Sequence, residues 1–285
     1  MTDSEDISED RGFKALFSAY PHETIEVFVP ELLSERGKPI TVTVLQQEST
    51  LPDLGEPNRF LDVALLATWA DGSQAVILLV EHWSEARKVD LRRVNWYVAD
   101  LALRHSGAVV FPVVLVTDPS AQTVSDRWDM SVAGMTVAAL RVRVFRVTNV
   151  ELPRLRSLQS RVAAMLTTLA VQDAVDAVVA ALEHMARSPG PLDDLERFLP
   201  FAMKLARMPE SDTPRFRRRL EEAGMVNVLT EMKEEAKARG QVAEIRRLVE
   251  RGVLTREAAR AEINDLTETG AIPREIGQEA LSLLK

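Results

Sequence analysis

Two carboxylates are the residues best placed in this chain to do chemistry together. Asp62 sits inside the apolar run FLDVALL, and Glu81 closes the run AVILLV, followed at once by His82 and Trp83. Between them lies Asp71-Gly72, a dipeptide that favours the tight turn of a β-hairpin. Antiparallel pairing across that turn sets Asp62 opposite Glu81 or one step away. Opposed residues in such a pair have Cβ atoms about 4.5–5.5 Å apart. Two carboxylates that close repel, so one takes up a proton or a cation neutralises both. A hard cation such as Mg²⁺ (or Mn²⁺) suits two carboxylates supplemented by a backbone carbonyl and waters. Such an ion activates water and offsets the charge of a phosphoryl group. The other reading open to Asp62 is a solvated strand face, on the side of Ala64.

Strand alternation sorts the neighbours of Glu81. Trp83 shares its face, whereas the His82 side chain points the other way and is structural. The remaining histidines, His22, His105 and His184, have no metal-ligand spacing. There is no glycine-rich phosphate loop, and no serine has the partners of a catalytic triad.

The elements that must position this pair follow from periodicity. FKALFSAY and HETIEVFVPELLSE have helical spacing, and Pro30 either ends one helix or begins another. KPITVTVLQ alternates, with Ile40, Val42 and Val44 on one face. RFLDVALLATW and AVILLVEHW form the hairpin. SEARKVDLRRVNWYVADLALRHSG reads as a helix with Ser84 as N-cap and Gly107 as its stop. AVVFPVVLVTD has the continuous apolarity of a strand buried on both faces, and MTVAALRVRVFRVTN alternates again. From Leu152 onward only helical periodicity remains, with an Ala-rich stretch at 158–186 and further helices near 192–207, 214–238, 240–251, 255–266 and 273–284. No internal repeat is evident. The expected organisation is a disordered acidic N-terminus (1–10), an α/β domain (11–150) and a helical C-terminal region (151–285).

Composition narrows the function classes. With no cysteine there is neither a disulfide framework nor a thiolate metal site. No apolar run approaches a membrane span, and the N-terminus lacks a signal-peptide pattern, so the expected location is the cytoplasm with no membrane partner. The net charge is −8, and the acid is concentrated early: residues 1–150 hold 14 Lys+Arg against 21 Asp+Glu, the remainder 21 against 22. This weighs against broad phosphate binding, although an acidic cluster can recruit a divalent cation. The basic runs at Arg141, Arg143 and Arg146, and at Arg215, Arg217, Arg218 and Arg219, read as solvated faces.

The stretch from Phe13 to Asp118 resembles the PD-(D/E)XK nuclease superfamily, and within it the recombination-promoting nuclease group often labelled as transposase-like. The resemblance rests on FKALF, RFLDVAL around Asp62, LLVEHWS around Glu81, Arg93 and Tyr97 in RRVNWYVADL, and VVFPVVLVTD. It covers a little over a third of the chain. It implies an α/β, restriction-endonuclease-like αβββαβ core and a Mg²⁺- or Mn²⁺-dependent DNA endonuclease. Asp62 and Glu81 would be metal ligands, with the His82 carbonyl beside them. Arg93 and Tyr97 would contact substrate, and Glu23 would be an additional acid from the first core helices. Position 83, where the family carries Lys or Gln, is Trp83, which has one N–H and no charge. Two outcomes follow: Arg87 or Lys88 reaches back to supply the missing cation, or the site is a degenerate relative that binds DNA or protein without cutting. A third class of function is oligomerisation through the Ala-rich helices at 158–186 and 227–250.

Overall fold

The computed structural model describes residues 8–45, 62–120, 123–148 and 151–284. Its order is α1 (Glu9–Ala19), α2 (Pro21–Phe28), α3 (Pro30–Arg36), β1 (Thr41–Val44), β2 (Val63–Thr68), β3 (Ala75–Trp83), α4 (Leu91–Arg104), β4 (Ala108–Val116), β5 (Arg127–Val132), β6 (Met135–Arg141) and β7 (Arg143–Phe145). Helices α5 (Glu151–Ser157), α6 (Arg161–Thr167), α7 (Ala174–Arg187), α8 (Asp194–Leu205), α9 (Thr213–Glu222), α10 (Met225–Glu250), α11 (Arg256–Glu268) and α12 (Arg274–Leu283) follow.

The chain divides into two compact units, residues 1–189 with 198–213, and residues 190–197 with 214–285. The change to purely helical sequence near 150 is not where they divide. Helices α5 to α7 belong to the first unit because their apolar faces are needed there: every residue from Arg161 to Thr167 is buried. Residues 161–167 of the 158–186 stretch are thus core, and the stretch is broken between Thr167 and Ala174. The 227–250 stretch lies within α10.

In the first unit, a mixed five-stranded sheet runs in the order β1-β2-β3-β4-β7. β1, β2 and β3 pair antiparallel, and β3-β4 and β4-β7 pair parallel. The β2–β3 turn forms at Asp71-Gly72 as its sequence dictates: Gly72 takes φ 70°, and Asp71 Oδ1 accepts from Ser73 N at 2.9 Å. Parallel β3 and β4 need a crossover, which α4 supplies. One sheet face carries Ala64, Ile77 and Leu79 against Val94, Tyr97 and Leu101 of α4. The other carries His82, whose ring lies 4.7 Å from that of Phe13 in α1. β1 is a solvated edge, with Ile40 61% exposed, so its alternation does not mark a buried face.

Several boundaries depart from the sequence expectation. Pro30 begins α3 at its first turn, where its missing N–H costs nothing. Ser84 is not a cap: residues 86–88 form a short 3₁₀ turn, and Asp90 caps α4 by accepting from Arg92 N. The 135–147 run is two strands, β6 pairing with β5 in a separate hairpin and β7 joining the main sheet. Residues 59–61 of the expected β2, and residues 1–7 of the expected disordered terminus, lie outside the described residues. Residues 8–10 are ordered, since Ser8 caps α1 and Glu9 and Asp10 form its first turn.

The second unit has a core of Val242, Ile245, Ala259, Ile263, Ile272, Ile276 and Ala280. Gly240 lies inside α10, and the break falls instead at Gly224, with φ 68°. Here a repeat emerges that composition conceals. ERGVLTRE and ETGAIPRE end successive helices with Gly252 and Gly270 at φ 69° and 74°. Equivalent closing bonds follow, Leu254 N to Leu248 O and Ile272 N to Leu266 O.

Candidate functional site

The β2–β3 register pairs Val63 with Val80, so Asp62 and Glu81 face each other immediately beyond the last ladder pair. Each carboxylate is fixed by a main-chain donor across the gap. Asp62 N donates to Glu81 Oε1 at 3.0 Å, and His82 N donates to Asp62 Oδ2 at 2.7 Å. Asp62 is itself largely covered: its side chain is 15% exposed, with Oδ2 accepting from His82 N and Oδ1 facing Lys14 of α1. The solvated-face reading of Asp62 is therefore overturned.

The second oxygen of each carboxylate meets a cation. Lys14 Nζ of α1 lies 3.7 Å from Asp62 Oδ1, and Arg93 Nη2 of α4 lies 3.8 Å from Glu81 Oε2. Neither separation is a short hydrogen bond. Burial and the Asp62 charge push the Glu81 carboxyl up to about 8, against the opposing pull of Asp62 N–H, Arg93 and Lys14. Asp62 is raised as well, by burial first and then by Asp10, against the His82 N–H and Lys14. Two cations at nearly 4 Å do not neutralise the pair.

Arg93 is held from three sides. Its guanidinium carbon lies 5.5 Å from the Trp83 ring centroid and 5.3 Å from that of Tyr97, and Nε donates to Tyr97 Oη at 2.7 Å. Trp83 thus occupies the Glu81 face as expected and serves as a shelf for a cation from α4. Its Nε1 is buried with no hydrogen-bond partner among the described residues. Burial, then the Glu81 charge, raise the Tyr97 hydroxyl above its usual range.

His82 faces α1. Nδ1 lies 2.6 Å from Asp10 Oδ1, and Nε2 lies 2.9 Å from Thr117 Oγ1 and 3.4 Å from Glu9 Oε2. Thr117 Oγ1 in turn donates to Glu9 Oε2 at 3.0 Å. A hydroxyl, an imidazole and a carboxylate in that order have the spacing of a nucleophilic triad. The charge state opposes that use. Burial disfavours the imidazolium, but its bonds to Asp10 and Glu9 outweigh burial and raise His82 to about 9. A histidine protonated at neutral pH cannot take the threonine proton. The cluster is an ion network around a buried histidine, tying α1 to the sheet.

Three expected site residues are elsewhere. Arg87 and Lys88 do not reach back: their side chains are 72% and 62% exposed, and both pair with Glu85, because residues 84–88 turn outward instead of starting α4. Glu23 faces α6, where its Oε2 accepts from Ser160 Oγ at 2.9 Å, Arg161 N at 2.6 Å and Val162 N at 3.2 Å. It satisfies unpaired donors at a helix start. The His82 side chain is unavailable as a metal ligand. Its carbonyl is better placed: Trp83 O accepts from Thr117 N on the β4 side, so by alternation the main-chain groups of His82 face the β2 side, where its N–H already meets Asp62.

No family model, curated protein or solved structure matches the chain. Sequence reasoning missed Lys14, although it lies within the FKALF motif, and missed Glu9 and Asp10, whose acidic surroundings look like a solvated tail.

The donor set fits a hard divalent cation in kind. Asp62 Oδ1 and Glu81 Oε2 are carboxylate oxygens without a short hydrogen bond, beside a backbone carbonyl. No cluster of three or more His, Cys, Asp or Glu side chains able to hold a metal occurs among the described residues. Two side chains at most would bind it, with carbonyl and water completing the shell. No helix among the described residues is long and apolar enough to cross a membrane.

Proposed function

We propose that the first unit is a Mg²⁺- or Mn²⁺-dependent phosphodiesterase acting on DNA, an endonuclease of the recombination-promoting PD-(D/E)XK type, with a restriction-endonuclease-like core. The observation carrying this reading is the opposition of Asp62 and Glu81, each anchored through one oxygen and under-neutralised at the other. The helix, three strands, helix, strand order around them supports it.

Asp62, Glu81 and the His82 carbonyl would hold the cation. When bound, it would supply an activated water and charge neutralisation. The chain's own groups do the rest. The Asp62 N–H holds Glu81 and the His82 N–H holds Asp62, so little reorganisation is needed at the reaction. Lys14 and Arg93 flank the pair and offset phosphate charge. Hydrolysis joins the water oxygen to phosphorus and breaks one P–O ester bond, a proton from the water passing to the departing oxygen. DNA is the expected partner, and the cytoplasm the expected location.

A second reading has its own observation. Lys14 and Arg93 already lie beside the carboxylates, and position 83 lacks the family's polar group, as in a relative that binds DNA or protein without cutting. Incubation of supercoiled plasmid with Mg²⁺ or Mn²⁺, beside Asp62→Ala and Glu81→Ala, separates the two. Nicking by the wild type alone supports hydrolysis. Absence of nicking with a retained mobility shift supports the binding reading.

A further inference from the structure

We infer that Arg93 is the phosphate-contacting cation of this site, and that Trp83 is the residue that positions it, so the charge absent from position 83 is carried on position 83's own side chain as a stacked guanidinium. This deepens the reading of the Asp62–Glu81 pair as a phosphodiester site and rests on it.

The geometry points to Arg93 rather than another cation. Of its five N–H groups, one is spent on Tyr97 Oη, and the remaining four make no hydrogen bond among the described residues. The nearest acceptor, Glu81 Oε2, is at 3.8 Å, and the side chain is 37% exposed. A guanidinium fixed at Nε, flanked by two rings and open at its far edge presents parallel donors suited to two phosphate oxygens. Arg87 and Lys88 are solvated and paired with Glu85, and Lys14 lies by the other carboxylate. Trp83 offers Arg93 a π face, the strongest of the aromatic partners for a cation. Without that face, the guanidinium would keep only Tyr97 and the distant Glu81 carboxylate to fix it.

The test uses the full chain and two readouts: single-turnover cleavage of a fluorescein-labelled duplex oligonucleotide in Mn²⁺, and anisotropy binding of the same duplex in Ca²⁺. Arg93→Ala is expected to slow single-turnover cleavage about 10²–10³-fold with a thermal midpoint close to wild type, and Arg93→Lys to recover part of the loss. Trp83→Phe, which keeps a π face, should stay near wild type, whereas Trp83→Leu should lose roughly tenfold or more. The exchanged variant Trp83→Lys with Arg93→Ala should cleave faster than Arg93→Ala alone, an outcome a purely structural role for Trp83 does not give. Cleavage by Arg93→Ala at the wild-type rate overturns the inference, as does equal behaviour of Trp83→Phe, Trp83→Leu and wild type. If the wild type binds but does not cleave, the hydrolytic reading falls, and Arg93 is judged on binding: loss of affinity in Arg93→Ala sustains it, and unchanged affinity overturns it. A wild type that neither binds nor cleaves overturns both.

Discussion

The imidazole Nδ1 of His82 lies 2.6 Å from Oδ1 of Asp10, joining the first turn of α1 to the strand that carries Glu81. A charged histidine in that position makes the fold pH-sensitive in a defined direction. Its pKa is raised from 6.5 to about 9, so its stabilisation is complete below about 6.5 and is lost as pH rises through 9. Glu81, raised from 4.5 to about 8, acts in the same sense, because the folded state increasingly bears a buried charge across that range. The His82 shift corresponds to something on the order of 3 kcal/mol. Urea unfolding should therefore show stability falling between pH 6 and 9, and His82→Gln should be less stable at pH 6 with a flatter slope above it. A wild-type profile flat over that window would rule out a charged His82.

Glu81→Gln separates stability from function. The amide oxygen can still accept from Asp62 N, while the like charge disappears. At pH 8 the variant should be more stable than wild type by roughly 1–3 kcal/mol, and near pH 5, where Glu81 is neutral in the fold, the gain should vanish. Cleavage should be lost throughout. Equal stability at pH 8 would mean that the pair is not strained by its charges.

Cation binding should be proton-linked. Glu81 holds a proton at pH 7, and a divalent ion requires the carboxylate, so Mn²⁺ binding should release up to about one proton. Calorimetry in two buffers of different ionisation enthalpy measures that number directly. Affinity should rise from pH 6 to pH 8 and be abolished in Asp62→Ala. Binding unaffected by Asp62→Ala would place the ion elsewhere.

How much of this was legible in the sequence differs residue by residue. The hairpin, and with it the opposition of Asp62 and Glu81, followed from one turn dipeptide and two apolar runs, because strand pairing across a tight turn is nearly fixed by position. The cations did not follow. Arg87 and Lys88 were near in sequence, but a 3₁₀ turn carried them outward, whereas Lys14 and Arg93 arrive from helices whose docking depends on tertiary packing. Asp10 and Glu9 resembled a solvated tail because nothing local signals that a buried histidine 72 positions from Asp10 will recruit them. The repeat around Gly252 and Gly270 is faint in the sequence because what it shares is chiefly a backbone conformation, with identity only at the glycine, one arginine and two glutamates.

Glu23 gives a check on one of these corrections. If it caps α6 and takes no part in chemistry, Glu23→Ala should cost about 1–2 kcal/mol, through three lost bonds at a helix start, and leave single-turnover cleavage unchanged at a temperature where the variant is folded. A selective loss of cleavage at full stability would return Glu23 to the site.

Gly12 links packing to the site most directly. A Cβ there would lie 2.2, 2.3 and 2.7 Å from ring atoms of Phe201. That ring cannot simply swing away: it is 1% exposed and meets Phe13 edge-on, with centroids 5.0 Å apart. Gly12→Ala must therefore displace α1, at a cost of about 1–3 kcal/mol. Asp10 and Lys14 ride on the same helix, so the displacement should also loosen Asp10 from His82 and Lys14 from Asp62. The expected outcome is a less stable protein whose upper pH transition moves down, since His82 loses part of what raises its pKa. Phe201→Leu should relieve the clash, so Gly12→Ala with Phe201→Leu should be more stable than the two single effects sum to, by about 0.5–3 kcal/mol. Strict additivity of the two changes would show that α1 does not depend on this contact.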